Sequence, residues 1–200
     1  GLRVGRRGWA RKSAERSDQT NYLQIADCEF RRLPGSRKTL HRLSSALDLN
    51  LKGQIALVTG GSRGIGRAVV WALGRLGAQV MINYRNNLEA AEQTLQQLRV
   101  EGRSGDLCPF DVAVEEEVEE AVKKIVDQYK KIDILVNNAG VTSDNLLVRL
   151  KSADWDRVIG VNLKGPVHCT RAVCRGMIRE RYGRIVNLTS VVGLMGNAGQ

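Results

Sequence analysis

The sequence is 200 residues long, 42% hydrophobic and 4% aromatic, with a formal net charge of +10. That length suits one domain with a real core, and no apolar run approaches the ~18 residues of a membrane helix, so no membrane partner is expected. The charge is uneven: residues 1–50 hold eleven Lys/Arg against five Asp/Glu, and residues 51–200 hold twenty against sixteen.

Residues 1–48 show no sustained period and crowd Arg3, Arg6, Arg7, Arg11, Lys12 and Arg16 at their start. Such a segment buries too little apolar surface to offset its ordering entropy, which predicts a disordered or extraneous arm. It has no apolar h-region and so is not a secretory signal. A plastid or mitochondrial transit peptide is the alternative, although Glu15, Asp18, Asp27 and Glu29 count against it. A basic arm can also bind nucleic acid, but no aromatic interleaving supports that, and no nucleic acid is expected. The chain opens at Gly1 and its first Met is Met81, so the domain is expected to occupy residues 49–200.

From there the periodicity alternates. Ile55–Thr59 is a short apolar run, as in a strand buried on both faces. Helical spacing follows over Ile65–Leu76, then a strand over Gln79–Tyr84. Leu88, Ala91, Leu95 and Leu98 stripe a second helix, and a third strand is expected near Leu107–Phe110. Val114, Val118, Ala121, Val122, Ile125 and Val126 stripe a third helix. A strand over Ile132–Val136, a long helix over Ala153–Arg179 and a strand over Arg184–Leu188 complete the series. This order implies an α/β fold with a doubly wound parallel sheet, Rossmann-like.

Pro166 lies inside the long helix, where its missing N–H leaves the Asn162 carbonyl without its donor four residues on. Two outcomes are compatible with the sequence: a helix bent at 162–166, or one that ends near Leu163 and restarts at Pro166.

The turn Thr59-Gly60-Gly61-Ser62-Arg63-Gly64-Ile65-Gly66 joins the first strand to the first helix. Glycines there allow close backbone approach to a pyrophosphate seated on the helix N-terminus. An NAD site normally carries an acid about twenty residues on. Here Ile82-Asn83-Tyr84-Arg85-Asn86-Asn87 holds none, while Arg63 and Arg85 suit a 2′-phosphate. The expected cofactor is NADPH, the bland alternative being two solvated arginines.

Four cysteines (Cys28, Cys108, Cys169, Cys174) without metal-ligand spacing predict reduced, mostly buried thiols in a cytoplasmic protein. Two histidines, His41 and His168, are too few for a His-based metal site, and no metal is expected.

The spacing of Thr59, Gly60, Gly64 and Gly66 resembles the Thr-Gly-x-x-x-Gly-x-Gly of the short-chain dehydrogenase/reductase family. Asp111-Val112 falls where the family's Asp contacts adenine. Asn137-Asn138-Ala139-Gly140 is similar to its Asn-Asn-Ala-Gly motif beside the cofactor. The resemblance implies an Asn-Ser-Tyr-Lys catalytic set, in which Asn162 and Ser190 match the first two members and Thr189 is a competing hydroxyl. The Tyr-x-x-x-Lys pair is expected past Gln200, so the chain as it stands is expected to be inactive. Tyr84, Tyr129 and Tyr182 are each expected at the wrong place to substitute.

Residues 140–149 and 190–200 are similar to the 3-oxoacyl-carrier-protein reductases, with Ser143 where that group commonly has Arg. This implies reduction of an acyl-carrier-protein-linked substrate in fatty acid biosynthesis, and a homotetramer when full length. Arg175, Arg179, Arg181 and Arg184 are either a receiving surface for an acidic carrier or a solvated helix end. Another short-chain reductase, acting on an acyl-CoA, a steroid or a sugar, or a silent nucleotide-binding module, remains the alternative.

Overall fold

A computed structural model describes residues 50–200. The basic arm at residues 1–48, with Cys28 and His41, lies outside them.

The elements run β1 (Ile55–Val58), α1 (Gly64–Arg75), β2 (Gln79–Tyr84), α2 (Leu88–Val100), β3 (Gly105–Pro109) and α3 (Glu115–Tyr129). They continue as β4 (Ile134–Asn137), α4 (Ser152–Ile159), α5 (Gly165–Arg179), β5 (Arg184–Asn187) and a single turn, α6 (Val192–Met195). The five strands form one parallel sheet in the order β3-β2-β1-β4-β5. The chain thus builds outward from β1 to β3, crosses back through α3, and builds outward again from β4. That reversal opens a crevice between the carboxyl ends of β1 and β4.

Strand alternation divides the core. Ile55, Leu57 and Met81 face α3 and α5, in one cluster with Val118, Val122, Ile125, Cys169 and Val173. Ala56, Val58, Val80 and Ile82 face the other side, in one cluster with Val70, Leu95 and Leu98 of α1 and α2. Side chains on both faces of β1 are buried, which is why this strand reads as an unbroken apolar run. At the far edge all four residues of β5 are exposed.

Two strands start at other residues than expected. The third begins earlier, because Gly105 and Asp106 pair with Val80 and Met81 although neither is apolar. The fourth begins later: Ile132 is buried in the core but precedes the ladder. Apolar runs report burial, and the ladder is set by pairing.

The long helix is helical throughout but not uniform. Residues 160–164 form a π-turn between α4 and α5, in which the Gly165 N–H donates to the Gly160 carbonyl five residues back. Gly160, Lys164 and Gly165 all hold right-handed helical angles, so the helix does not end and restart at Pro166. The wide turn is how Pro166 enters a continuous helix. Gly165 also packs so tightly on Val112 that a Cβ there would lie 2.8 Å from its Cγ2.

Burial explains the cysteines. Desolvation pushes the Cys108 thiol up to about 11 and the Cys169 thiol up to about 12. Because the thiolate is the nucleophile, both should resist iodoacetamide at pH 8 in the folded protein and label only in denaturant, as read by peptide mass spectrometry.

Asp133, 5% exposed, closes the opposite end of the sheet. Its Oδ2 accepts from the Ile55 N–H at 2.8 Å and lies 3.0 Å from Lys131 Nζ. Asp133→Ala strands a buried donor and should cost about 1–3 kcal/mol in urea unfolding. Lys131→Ala, at a half-exposed position, should cost less than about 1 kcal/mol.

Candidate functional site

A cleft of about 590 Å³ lies over the crevice between β1 and β4. Its walls are the Gly-rich turn, the end of β2, the segment after β3 and the segment after β4. Gly60, Ser62, Arg63, Gly64, Ile65 and Gly66 line one side; Arg85, Asp111, Val112, Asn138, Ala139 and Gly140 line the others. Of the expected cofactor residues only Thr59 lies outside this lining.

Thr59 works from behind. It is 1% exposed, and its Oγ1 accepts from the N–H groups of Asn138 (2.9 Å) and Ala139 (3.0 Å). Its own hydroxyl reaches the Val136 carbonyl at 3.3 Å. Asn138 returns the contact, donating its side-chain amide to the carbonyls of Thr59 (2.8 Å) and Gly60 (3.1 Å). The turn after β1 and the segment after β4 are thereby joined by both backbone and side chain.

Glycine is required where these segments meet. Gly60 and Gly64 have φ of +63° and +55°, which L side chains rarely adopt. A Cβ on Gly66 would penetrate the Gly60 carbonyl and the Asn138 amide. The first turn of α1 carries no acid, and its N-cap, Arg63, makes no side-chain capping bond. The N–H groups of that turn and the positive end of the helix dipole therefore remain for a ligand anion.

Three residues not expected from the sequence position this turn. Asn83, 2% exposed at the end of β2, accepts from the Gly60 N–H through Oδ1 at 3.1 Å. Its amide donates to the carbonyls of Cys108 (3.2 Å) and Phe110 (3.0 Å), so one side chain ties β2, β3 and the turn together. The Ser62 carbonyl accepts from Arg67 Nη2 (3.0 Å) and Thr94 Oγ1 (2.8 Å). The one available signal for Asn83 was a polar residue at the end of an otherwise apolar strand.

The two arginines differ. Arg63 has no side-chain hydrogen bond or ion pair among the described residues. Arg85 donates from Nη1 to Asp111 Oδ2 at 3.0 Å. The expected free pair of guanidinium groups is thus one free and one engaged.

Asn162 and Ser190 lie beyond the lining of this cleft. The Asn162 side chain clamps the backbone of Val141: Oδ1 accepts from its N–H and Nδ2 donates to its carbonyl, both at 2.8 Å. Val141 follows Gly140 directly, so the π-turn is fastened to the cleft wall. Ser190 is exposed in the turn after β5, and its Oγ accepts from the Val192 N–H at 3.3 Å. The hydroxyl hydrogen remains free to donate.

Of the tyrosines, Tyr84, Tyr129 and Tyr182 are among the described residues, and Tyr22 lies outside them. Tyr129 bonds Asp106 and Gln79 at the far end of the sheet, where burial and Asp106 push its hydroxyl up. Tyr182 lines a groove at that same end, and Tyr84 lines the cleft beside Arg85. The groove, of about 390 Å³, holds Arg175 and Arg179 beside Ile132 and Asp133, which precede β4. It lies at the amino ends of the strands, so a carrier seated there would face away from the cleft of the same chain. Among the described residues no cluster of His, Cys, Asp and Glu could hold a metal ion, and no helix is long and apolar enough to cross a membrane.

Comparison with known proteins follows this geometry. A family model for short chain dehydrogenase matches residues 54–200. A 3-oxoacyl-acyl-carrier-protein reductase FabG of Staphylococcus epidermidis is 46% identical over 145 residues, 72% of this chain and 59% of the relative. The 3-oxoacyl-acyl-carrier-protein reductase of Synechocystis is 45% identical over 150 residues, covering 75% and 61%. Among solved structures, a protein from Agrobacterium tumefaciens assigned as a gluconate dehydrogenase superposes with a TM-score of 0.72 at 38% identity. That match covers 76% of this chain and 59% of the other. The chain spans about three fifths of the length of these relatives, and it belongs to the short-chain dehydrogenase family.

Proposed function

We propose that this chain is the larger part of an NADPH-dependent reductase that converts a 3-oxoacyl thioester on an acyl carrier protein to the 3-hydroxyacyl form. The observation that carries the substrate is the 45–46% identity to reductases of that name in several bacteria. The gluconate dehydrogenase likeness, at 38% identity, supports the rival reading of a sugar substrate less strongly. Fatty acid biosynthesis in the cytoplasm is the corresponding setting.

The cleft fits a dinucleotide on two grounds. Only glycine permits the approach of Gly66 to Gly60, and the first turn of α1 offers unoccupied N–H groups and no acid. The Gly-rich turn would hold the pyrophosphate, and Arg63 with Arg85 the 2′-phosphate. When bound, the dinucleotide supplies the hydride. Ser190 would donate its free hydroxyl hydrogen to the substrate carbonyl oxygen, where charge develops. Asn162 acts as a positioning residue through Val141, keeping the cleft wall in register with the long helix.

For the cofactor, calorimetric titration at low salt should give tighter binding of NADPH than NADH by about ten- to a hundredfold, at ~1.4 kcal/mol per tenfold. The double variant Arg63→Ala/Arg85→Ala should remove that preference. Equal dissociation constants in the unaltered protein would reject the assignment.

For the substrate, a longer form carrying the expected Tyr-x-x-x-Lys pair should oxidise NADPH fastest with acetoacetyl-carrier protein and more slowly with acetoacetyl-CoA, and should not reduce NADP+ when given gluconate. Ser190→Ala should lower kcat by about 10²–10³-fold, the usual worth of one oxyanion donor. A gluconate-dependent reaction as the fastest would favour the sugar reading.

A further inference from the structure

We infer that Asp111 is a specificity-determining residue: it holds Arg85 before cofactor binds and gives it up to the 2′-phosphate. Their ion pair would then set how far the cleft prefers NADPH over NADH. This deepens the cofactor reading above and rests on it.

The two partners are unequally fixed. Asp111 is 21% exposed in its side chain and anchored in the turn after β3. Its Oδ1 accepts from the Ala113 N–H at 2.9 Å, and its own N–H donates to Glu117 at 2.7 Å. Its carbonyl accepts from the Val114 N–H at 3.1 Å. Arg85 is 51% exposed in its side chain and makes one contact, Nη1 to Asp111 Oδ2. Asp111 is therefore the fixed member and Arg85 the movable one.

The pair borders two hollows: the cofactor cleft, and a second of about 450 Å³ that shares Asn86 and Phe110 with it and adds Pro109 and Glu117. Arg85 and Asp111 belong to both linings.

The chemistry favours exchange. A dianionic phosphate offers a guanidinium more charge and more acceptor oxygens than one carboxylate oxygen does. NADPH would capture Arg85 but must first break the pair. NADH, which carries only a hydroxyl at that position, leaves it intact. The pair accordingly penalises NADPH alone. Once Arg85 leaves, Asp111 Oδ2 becomes an acceptor facing the cleft.

The test uses adenosine 2′,5′-bisphosphate and 5′-AMP as probes, titrated calorimetrically, so it needs no turnover. Asp111→Asn keeps an oxygen for the Ala113 N–H but removes the charge. It should raise the 2′,5′-bisphosphate to 5′-AMP affinity ratio by about two- to fivefold, the scale of an exposed ion pair. In an Arg85→Ala background the same substitution should leave the ratio unchanged. Should Asp111→Asn unfold, Asp111→Ser keeps a side-chain acceptor for the same N–H and repeats the comparison.

An unchanged or lowered ratio with Arg85 present would overturn the inference. So would an equal rise in both backgrounds, since that is bare charge removal without exchange. If the unaltered protein binds both probes alike and Arg85→Ala changes nothing, the NADP reading itself fails and this inference falls with it.

Discussion

The hydroxyl of Thr59 and the amide of Asn138 hold together two segments nearly eighty residues apart, and the cleft exists because they do. Four hydrogen bonds of 2.8–3.1 Å cross that junction. They span the point where the strand order reverses, between the carboxyl ends of β1 and β4. The glycines serve the same contact: any Cβ at Gly66 would force the two segments apart.

A second set of contacts stiffens the walls from outside. Asn83 reaches from β2 to the Gly-rich turn and to β3. Arg67 and Thr94 hold the Ser62 carbonyl from α1 and α2. Asn162 grips Val141 from the π-turn, and His168, on α5, lies 3.2 Å from the Val112 carbonyl through Nδ1. Each of these joins a wall of the cleft to a helix or strand that lies behind it. Preorganisation of this kind lowers the ordering cost of binding.

Charge is arranged with less symmetry than the composition suggests. At the cleft, Arg63 is unpaired among the described residues and Arg85 is held by Asp111. At the opposite end of the sheet, Lys123, Lys130, Lys131, Arg171, Arg175 and Arg179 surround the second groove. Some of that charge is already matched, since Lys131 pairs with Asp133, Arg171 with Glu115 and Arg179 with Glu180.

The sequence by itself determined the order of strands and helices, the parallel sheet, the Gly-rich turn and the residues that line most of the cleft. The apolar period, glycine at a turn and the sign of charge after β2 are local signals, whereas Asp111, Val112, Asn138, Ala139 and Gly140 came from the resemblance to the short-chain family. Tertiary structure alone decided that Thr59 braces rather than lines the cleft, that Asn83 and Thr94 position the turn, and that Arg85 is engaged by Asp111. Each is a polar contact between residues 23 or more positions apart, and no periodicity encodes such a partner. The long helix falls between the two cases. Pro166 announced that the helical ladder must be interrupted near Asn162. Whether it would bend, break or widen depended on the backbone between Gly160 and Gly165 and on the close approach of Gly165 to Val112, which only the folded chain supplies.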